Sequence, residues 1–310
     1  MNSIIEDNGY RAKMLCDSIS PDGVRLTTME ITFPRFSLAE FNTHRTKSRN
    51  SASSRAIPSE KQIKKVKENP VIPIYWGKNK KGMQADQELS LIEQGEAIKE
   101  WLSARDEMVH RAQNLYNLGV HKQIINRLLE PFMWHTVICT ATEWNNFFAL
   151  RCHPDTQPEF RKFAIMMRDL YKSHTPTQLG YNHWHLPLLQ DNEFVDYGYS
   201  NKDLEYFRTS VPGVHIYTID EAKKICVGRC ARVSYLTHDG RRDPQADIEL
   251  CEKLQKSGHM SPFEHIARPM SYDGENSLYL NPKVSFCGNF RGWVQFRKEI
   301  PYESDFSQKE

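Results

Sequence analysis

No run of 18 apolar residues and no charged-then-apolar leader occurs in this sequence, so it reads as neither membrane-spanning nor exported. A charge excess is missing too. The 41 Lys+Arg against 39 Asp+Glu leave a net +2, which argues against nucleic-acid binding by bulk electrostatics and leaves open a local site for a small anion. Neither G-x-G-x-x-G nor G-K-[ST] is present, which removes support for Rossmann and Walker phosphate sites. The seven cysteines are odd in number and lack zinc spacing, and Cys226 and Cys230 have no second pair near them. A reducing cytoplasm is the expected location. His183 and His185 are two lone ligands, too few for a metal centre. Repeats and low-complexity tracts are absent. The 310 residues suffice for one large domain or two ordinary ones, with a core that needs no staple.

What is present begins with two alternating runs, "YRAKMLCDSIS" and "VRLTTMEITF", joined by Pro21, Asp22 and Gly23, which is hairpin chemistry. Ser37 to Glu40 has the spacing of a capping box and predicts a short helix delivering the chain into Thr43 and His44. Residues 59–82, with seven lysines, read as a solvated mobile loop or as a basic rim that guides an anion. Apolar residues from Leu89 to Leu115 recur at three- and four-residue intervals, predicting a long helix over 86–118 that Gly119 stops. A second helix is expected over 120–130, ending at Pro131, and a capping box from Thr156 to Glu159 predicts a third toward Tyr171. Residues 173–218 read as an irregular insertion, and Asp243 to Gly258 as a capped helix.

Chemistry concentrates in "THRTKSRNSASSRAIPSEK" from Thr43, where no apolar residue stands between His44 and Ala52. Unpaired hydroxyls, amides and guanidinium groups are costly to bury, so this stretch is expected to be a solvated loop or a site, not core. Arginines interleaved with hydroxyls and an amide can wrap a phosphate, because guanidinium makes forked bonds and hydroxyls fill the remaining lone pairs. A polar surface loop is the competing reading.

The stretch resembles the signature R-H-R-x-x-S-x-N-E-x-S-x-R-Y of the flavin-dependent thymidylate synthases (ThyX). His44, Arg45, Ser48, Asn50, Ser53 and Arg55 match in register, whereas Thr43, Ser51 and Ala56 replace Arg, Glu and Tyr. A second block, residues 125–161, is similar to the family's R-x-x-L-P…N-F-L-x-L-R…A-Q-x-E-I-R, with Arg127, Asn146, Arg151, Gln157 and Glu159 on matching positions. A third, residues 230–269, resembles its A-R-V-S-Y and G-H-x-S-P-F-E-H elements, with Ser234 in the first and His259, Ser261 and His265 in the second. In ordinary members the third block precedes the first, so residues 226–310 read as a circularly permuted segment of one domain spanning 1–310. Nearby termini make such reordering physically reasonable, since contacts and not chain order define the fold.

The resemblance implies an α+β fold: a twisted, mainly antiparallel sheet flanked by long helices. It implies reductive methylation of dUMP at C5, with FAD delivering hydride and NADPH and methylene-tetrahydrofolate as co-substrates. Arg151 and His44 are then the expected catalytic residues, with His44 stacking or relaying a proton near the folate. Ser53, Arg55, Arg127 and Arg151 are expected to hold the pyrimidine deoxynucleotide monophosphate. His44, Arg45, Asn50, Asn146, Ser234, His259 and Ser261 are expected to face the flavin, in a homotetramer whose sites several subunits build. Glu40 and Thr43 stand where the family has Gln and Arg, and Arg291, Gln295 and Arg297 are expected to fold back and supply that character. The departures near the substrate keep open a related enzyme acting on another pyrimidine nucleotide such as dCMP, C5 hydroxymethylation, or a binding homologue without turnover. The classical folate-dependent synthases use a cysteine after proline, and no Pro-Cys pair occurs here.

Overall fold

The computed structural model describes residues 3–235, 243–271, 287–301 and 303. The expected hairpin is present: β2 (Tyr10–Ile19) and β3 (Arg25–Pro34) pair antiparallel, and Gly23, at φ +78°, takes the left-handed turn position that glycine adopts without strain. With β1 (Ile4–Asp7), β4 (Ser48–Ser51) and β5 (Trp134–Ala141) they form a sheet in the order β1-β2-β3-β5-β4. Every neighbour on that path is antiparallel, and the short β6 (Thr177–Gln178) adds a parallel edge to β2. The fold is α+β, as expected.

Both faces of the sheet are covered, which explains why its central strands are almost wholly buried. On one face Met29, Ile31 and Phe33 of β3 and Val137, Cys139 and Ala141 of β5 pack with Phe160, Phe163 and Met167 of α6 (Pro158–Ser173). Side chains alternate along a strand, so Ile138 and Thr140 of β5 point the other way. There Ile138 meets Cys226, Val227 and Cys230 of α8 (Ile219–Tyr235), Cys251 of α9 (Pro244–Ser257) and Phe263. Thr140 joins a buried polar chain in which Ser18, His185, Thr28, Thr140 and His265 are linked at 2.7–2.8 Å.

The remaining helices depart from expectation in instructive ways. α1 (Leu38–Asn42) forms, but Ser37 ends a 3-10 turn at φ −84°, ψ 1°, outside the extended region a cap needs, and its hydroxyl has no partner. The Thr156–Glu159 box also fails: α6 starts at Pro158, and the Glu159 carboxylate instead accepts the Ile74 N–H at 3.0 Å. Working boxes stand at Ser90–Glu93, opening α3 (Leu91–Asn117), and at Ser200–Asp203, opening α7 (Asn201–Ser210). Part of the lysine-rich stretch is no loop but α2 (Ser59–Glu68). It buries Ile63 and Val66 against Ala112 of α3 while its lysines face outward, because one apolar stripe is enough to dock a helix. The helix expected over 120–130 is α4 (Lys122–Ile125) followed by a 3-10 segment to Phe132 that contains Pro131. Residues 173–218 hold α7 and a parallel pair, β7 (Glu193–Asp196) with β8 (His215–Thr218).

After α9, β9 (Ala267–Pro269) pairs antiparallel with β10 (Trp293–Gln295), and the one-turn α10 (Phe296–Glu299) follows. The buried Arg229 of α8 ties this layer together, pairing with Glu193 of β7 at 2.5 Å and with Asp247 of α9 at 3.1 Å.

Truncating Phe163, which is fully buried and stacked on Phe33 at 4.4 Å, is expected to cost about 3–5 kcal/mol. Urea unfolding of Phe163→Ala with a loss under 1 kcal/mol would contradict the packing described. Burial holds His185 and His265 down at about 3, against 6.5 in the unfolded chain. Between those values the unfolded state binds more protons, so stability is lost as pH falls from 6.5 toward 3. Chemical denaturation at stepped pH should show that decline, and a stability flat across the window would refute it.

Candidate functional site

His44 lies two residues past α1, and Arg151 is the last residue of α5 (Asn145–Arg151). Arg151 Nε donates to His44 Nε2 at 2.7 Å, and its Nη2 donates to the Thr43 hydroxyl at 3.4 Å. Phe147 meets the His44 ring edge-on at 4.9 Å, and the Arg151 guanidinium lies 4.7 Å from the centre of the Phe160 ring. Because guanidinium can only donate, His44 Nε2 must accept, which leaves the proton on Nδ1. Burial, then the charges of Lys47, Arg151 and Arg49, push His44 down to about 4, so the imidazole is neutral at pH 7. The result is a fixed cation held by a neutral imidazole between two aromatic rings.

Strand alternation sorts the rest of the segment into two layers. Lys47 and Arg49 point toward α1 and α5; Ser48 and Asn50 point toward α8 and the C-terminal elements. Asn50 donates to the Cys230 carbonyl at 2.8 Å and accepts from the Ser261 hydroxyl at 3.2 Å. Ser48 donates to Asn289 at 3.0 Å, and the buried Gln295 amide donates to both Ser48 and Asn289. Elements more than 200 residues apart in sequence thus converge on β4.

The expectation that this stretch avoids the core needs correction, because Lys47 is 2% exposed and Ser48 and Ser54 1%. β4 lies between two packed layers, and a polar strand in that position is buried whatever its composition. Lys47 Nζ has no hydrogen-bond partner and is enclosed by Phe41, Trp144 and Phe147. Burial pushes its pKa down to about 7. Sequence reasoning missed Lys47 and Asn289; the segment was expected to be a loop or a site, so the parity of Lys47 with Arg49 along β4 carried no signal until the strand was seen.

Arg45 and Arg55 are exposed and Arg49 is half-buried, and none of the three has an acidic partner among the described residues. Ser53 accepts the Arg55 N–H at 3.3 Å. Other expected site residues are engaged elsewhere. Arg127 pairs with Glu130 at 2.8 Å, Arg291 with Glu143 at 2.9 Å, and Arg297 with Glu264 at 2.5 Å and Glu303 at 2.8 Å. Asn146 is exposed on α5, and His259 Nδ1 shares a 2.9 Å bond with the Ser257 hydroxyl. Ser234 lies in α8, and its side chain is outside the described residues. The structure therefore joins Thr43 and His44 with Arg151, Asn50 with Ser261, and Ser48 with Gln295.

Removing the buried amine should stabilise the fold. Lys47 stays charged to about 10.5 when unfolded and to about 7 when folded, so its penalty grows as pH falls from 10.5 to 7 and is full below 7. Lys47→Met is expected to raise Tm at pH 7, by roughly 2–4 °C for each kcal/mol released, with the gain shrinking toward pH 10.5. A lowered Tm, or one shifted equally at both pH values, rejects this account.

Residues 25–177 match the family described as Thymidylate synthase complementing protein. Among solved structures, the chain is similar to a UMP/dUMP methylase PolB from Streptomyces cacaoi bound with 5-Br UMP. Identity is 15% and the TM-score 0.43, over 52% of this chain and 88% of that one. The same methylase bound with 5-Br dUMP aligns at 18% identity and a TM-score of 0.41, over 48% and 67%. No curated protein matches.

Proposed function

We propose, because residues 25–177 place this chain in the thymidylate synthase complementing protein family, that it methylates a pyrimidine deoxynucleotide at C5, with dUMP as substrate and methylene-tetrahydrofolate as carbon donor. The observation that carries this reading is the Arg151–His44 pair. A guanidinium locked at 2.7 Å against a neutral imidazole is a preorganised positive charge, suited to stabilising the negative charge that develops on a pyrimidine ring as hydride arrives. No reorganisation is needed at the moment of reaction, since Phe147 and Phe160 already fix both groups.

The donor set also fits a nucleotide cofactor. Arg45, Arg49 and Arg55 stand in one short segment without acidic partners, an uncompensated charge that phosphate or pyrophosphate would neutralise. FAD, when bound, would supply the hydride and NADPH its electrons; Arg45 and the Asn50–Ser261 pair are the groups proposed to hold it, with Asn146, Ser234 and His259. Ser53, Arg55 and Arg127 are proposed to clamp the substrate phosphate, with Gln295 bracing Ser48 from behind. Arg127, Arg291 and Arg297 would first have to leave their glutamates.

A cysteine route is disfavoured by the thiols themselves. Burial raises the pKa of all seven, with Cys16 and Cys139 pushed up to about 11, so none offers a ready thiolate at neutral pH. That accords with hydride chemistry that needs no enzyme nucleophile. A homotetramer in the cytoplasm, one domain with permuted block order and an insertion over 173–218 belong to the same proposal. Among the described residues no helix is long and apolar enough to cross a membrane.

One observation favours a variant reading. Thr43 folds back to donate to the Glu40 carbonyl at 2.7 Å and presents no guanidinium, so recognition there differs from the family pattern. This supports dCMP as substrate or hydroxymethyl as the transferred group.

Incubating the protein with dUMP, methylene-tetrahydrofolate, FAD and NADPH and weighing the product tests the reading. A gain of one methyl group is expected, and Arg151→Ala should lower kcat about 10²–10³-fold. Release of tritium from C5-labelled dCMP but not dUMP would transfer the assignment to the variant. No release from either would leave a binding homologue without turnover.

A further inference from the structure

α3 runs for 27 residues, yet Ala112 is the only one of them that is fully buried. The reason is the length of α2. The two helices lie antiparallel, with Tyr116 donating to Glu60 at 2.7 Å and Arg105 donating to the Val66 and Lys67 carbonyls at 3.3 and 2.9 Å. α2 ends at Glu68, one residue beyond that contact. From there the chain passes to Trp101, whose Nε1 donates to the Val71 carbonyl at 2.8 Å and whose ring meets Trp76 edge-on. The first three turns of α3, from Leu91 to Leu102, therefore extend past the helix that covers the rest.

An apolar stripe continues along that uncovered stretch. Leu91, Gly95, Ile98 and Leu102 follow one another at steps of four, three and four, which puts them within about 60° of one another around the helix. The same stripe carries on as Arg105, Val109 and Ala112, where α2 and the 3-10 segment after α4 cover it. At the open end Leu91 is 86% exposed and Ile92, beside the stripe, 78%. Ile98 and Leu102 are half-buried and belong to none of the core clusters. Gly95 has no reason within one chain. Glycine is among the poorest residues for a helix interior, and nothing lies within 4 Å of where its Cβ would stand.

Charge on one flank of the stripe is unmatched as well. Glu96 and Lys99 are exposed, and neither has an ion-pair partner among the described residues. A twofold axis between residues 96 and 97 makes the whole set complementary to itself. Two antiparallel copies of α3 then bring Gly95 against Ile98 and Leu91 against Leu102, as the heptad spacing of an antiparallel helix pair requires. Lys99 of one copy falls between Ile92 and Glu96 of the other, about 3 Å from each along the axis. Its stem covers Ile92 and its ammonium meets the carboxylate.

We propose that the face of Leu91, Gly95, Ile98 and Leu102 docks on the same face of a second copy of this chain, antiparallel, with Gly95 setting a close approach. Such a contact is isologous, one set of residues serving both sides. Self-complementarity of size and charge selects a second copy over an unrelated helix. The contact is one surface of the homotetramer in the proposed function, and it rests on that assembly.

Sedimentation velocity of the full chain over a wide concentration range tests the assignment. Wild type is expected to self-associate. Gly95→Leu should split the assembly into smaller species and weaken association by roughly tenfold or more, because the added side chain overfills the contact. Its Tm, taken at a dilution where wild type is dissociated, should stay equal or rise, since leucine is the better helix former. Lys99→Glu should weaken association, and adding Glu96→Lys in the same chain should restore it. Leu91→Cys combined with Leu102→Cys should give a covalent dimer on mild oxidation, whereas wild type and either single variant should not. An assembly unchanged by Gly95→Leu and Lys99→Glu would overturn the proposal and leave the tetramer standing. A wild type that stays monomeric would overturn both. If Gly95→Leu lowers Tm, the charge swap decides, and failure of Glu96→Lys to restore association would overturn the proposal.

Discussion

Pairing of β4 with β5, from Ser48 opposite Thr140 to Ser51 opposite Val137, is the constraint on which the rest of the structure depends. It places a short polar strand at the edge of the sheet, between two layers that cover opposite faces. Alternation then assigns each residue to a layer with no further choice. Lys47 and Arg49 go to the aromatic layer of α1, α5 and α6, whereas Ser48 and Asn50 go to the layer built by α8 and the C-terminal elements. A one-residue slip would exchange these sets and dismantle both sets of contacts.

The same burial that forms the layers sets the electrostatics. His44 and Lys47 are held below their usual ranges because charge is costly beside Phe41, Phe147 and Phe160, and the cysteines are held above theirs for the same reason. The Arg151 guanidinium finds its partner in a neutral imidazole. A carboxylate partner would have cancelled its field. Three of the arginines expected at the site, Arg127, Arg291 and Arg297, meet carboxylates instead. Charge left uncompensated at Arg45, Arg49 and Arg55 is what the proposed anion site rests on.

Much of the fold was legible because it rests on local, periodic signals. The β2–β3 hairpin, the long α3, its glycine stop and the capped α9 each follow from patterns within a few residues. Capping boxes were less dependable. Ser37 and Glu40 have the right spacing, yet a preceding 3-10 turn denied Ser37 the backbone angles, and Glu159 was drawn into a buried bond with Ile74. Tertiary packing outcompeted a local bond worth about 1 kcal/mol. α2 was hidden for a related reason: two apolar residues among lysines carry too little periodicity until α3 is present to cover them.

For the site, residue types at short spacing were enough to mark the segment from Thr43 to Arg55 as a candidate for holding an anion, whereas Arg151 was reached only through the resemblance of residues 125–161 to the family's second block. Sequence alone thus determined which side chains are available and the fold class that carries them. Tertiary structure decided their partners: that Arg151 meets His44, that Asn50 meets Ser261, that Gln295 reaches Ser48 while Arg291 turns to Glu143, and that Lys47 is buried. The reason is physical. Composition and spacing act within a turn or two of the chain, whereas burial, proton placement and ion pairing depend on which distant segment fills the other face of the sheet.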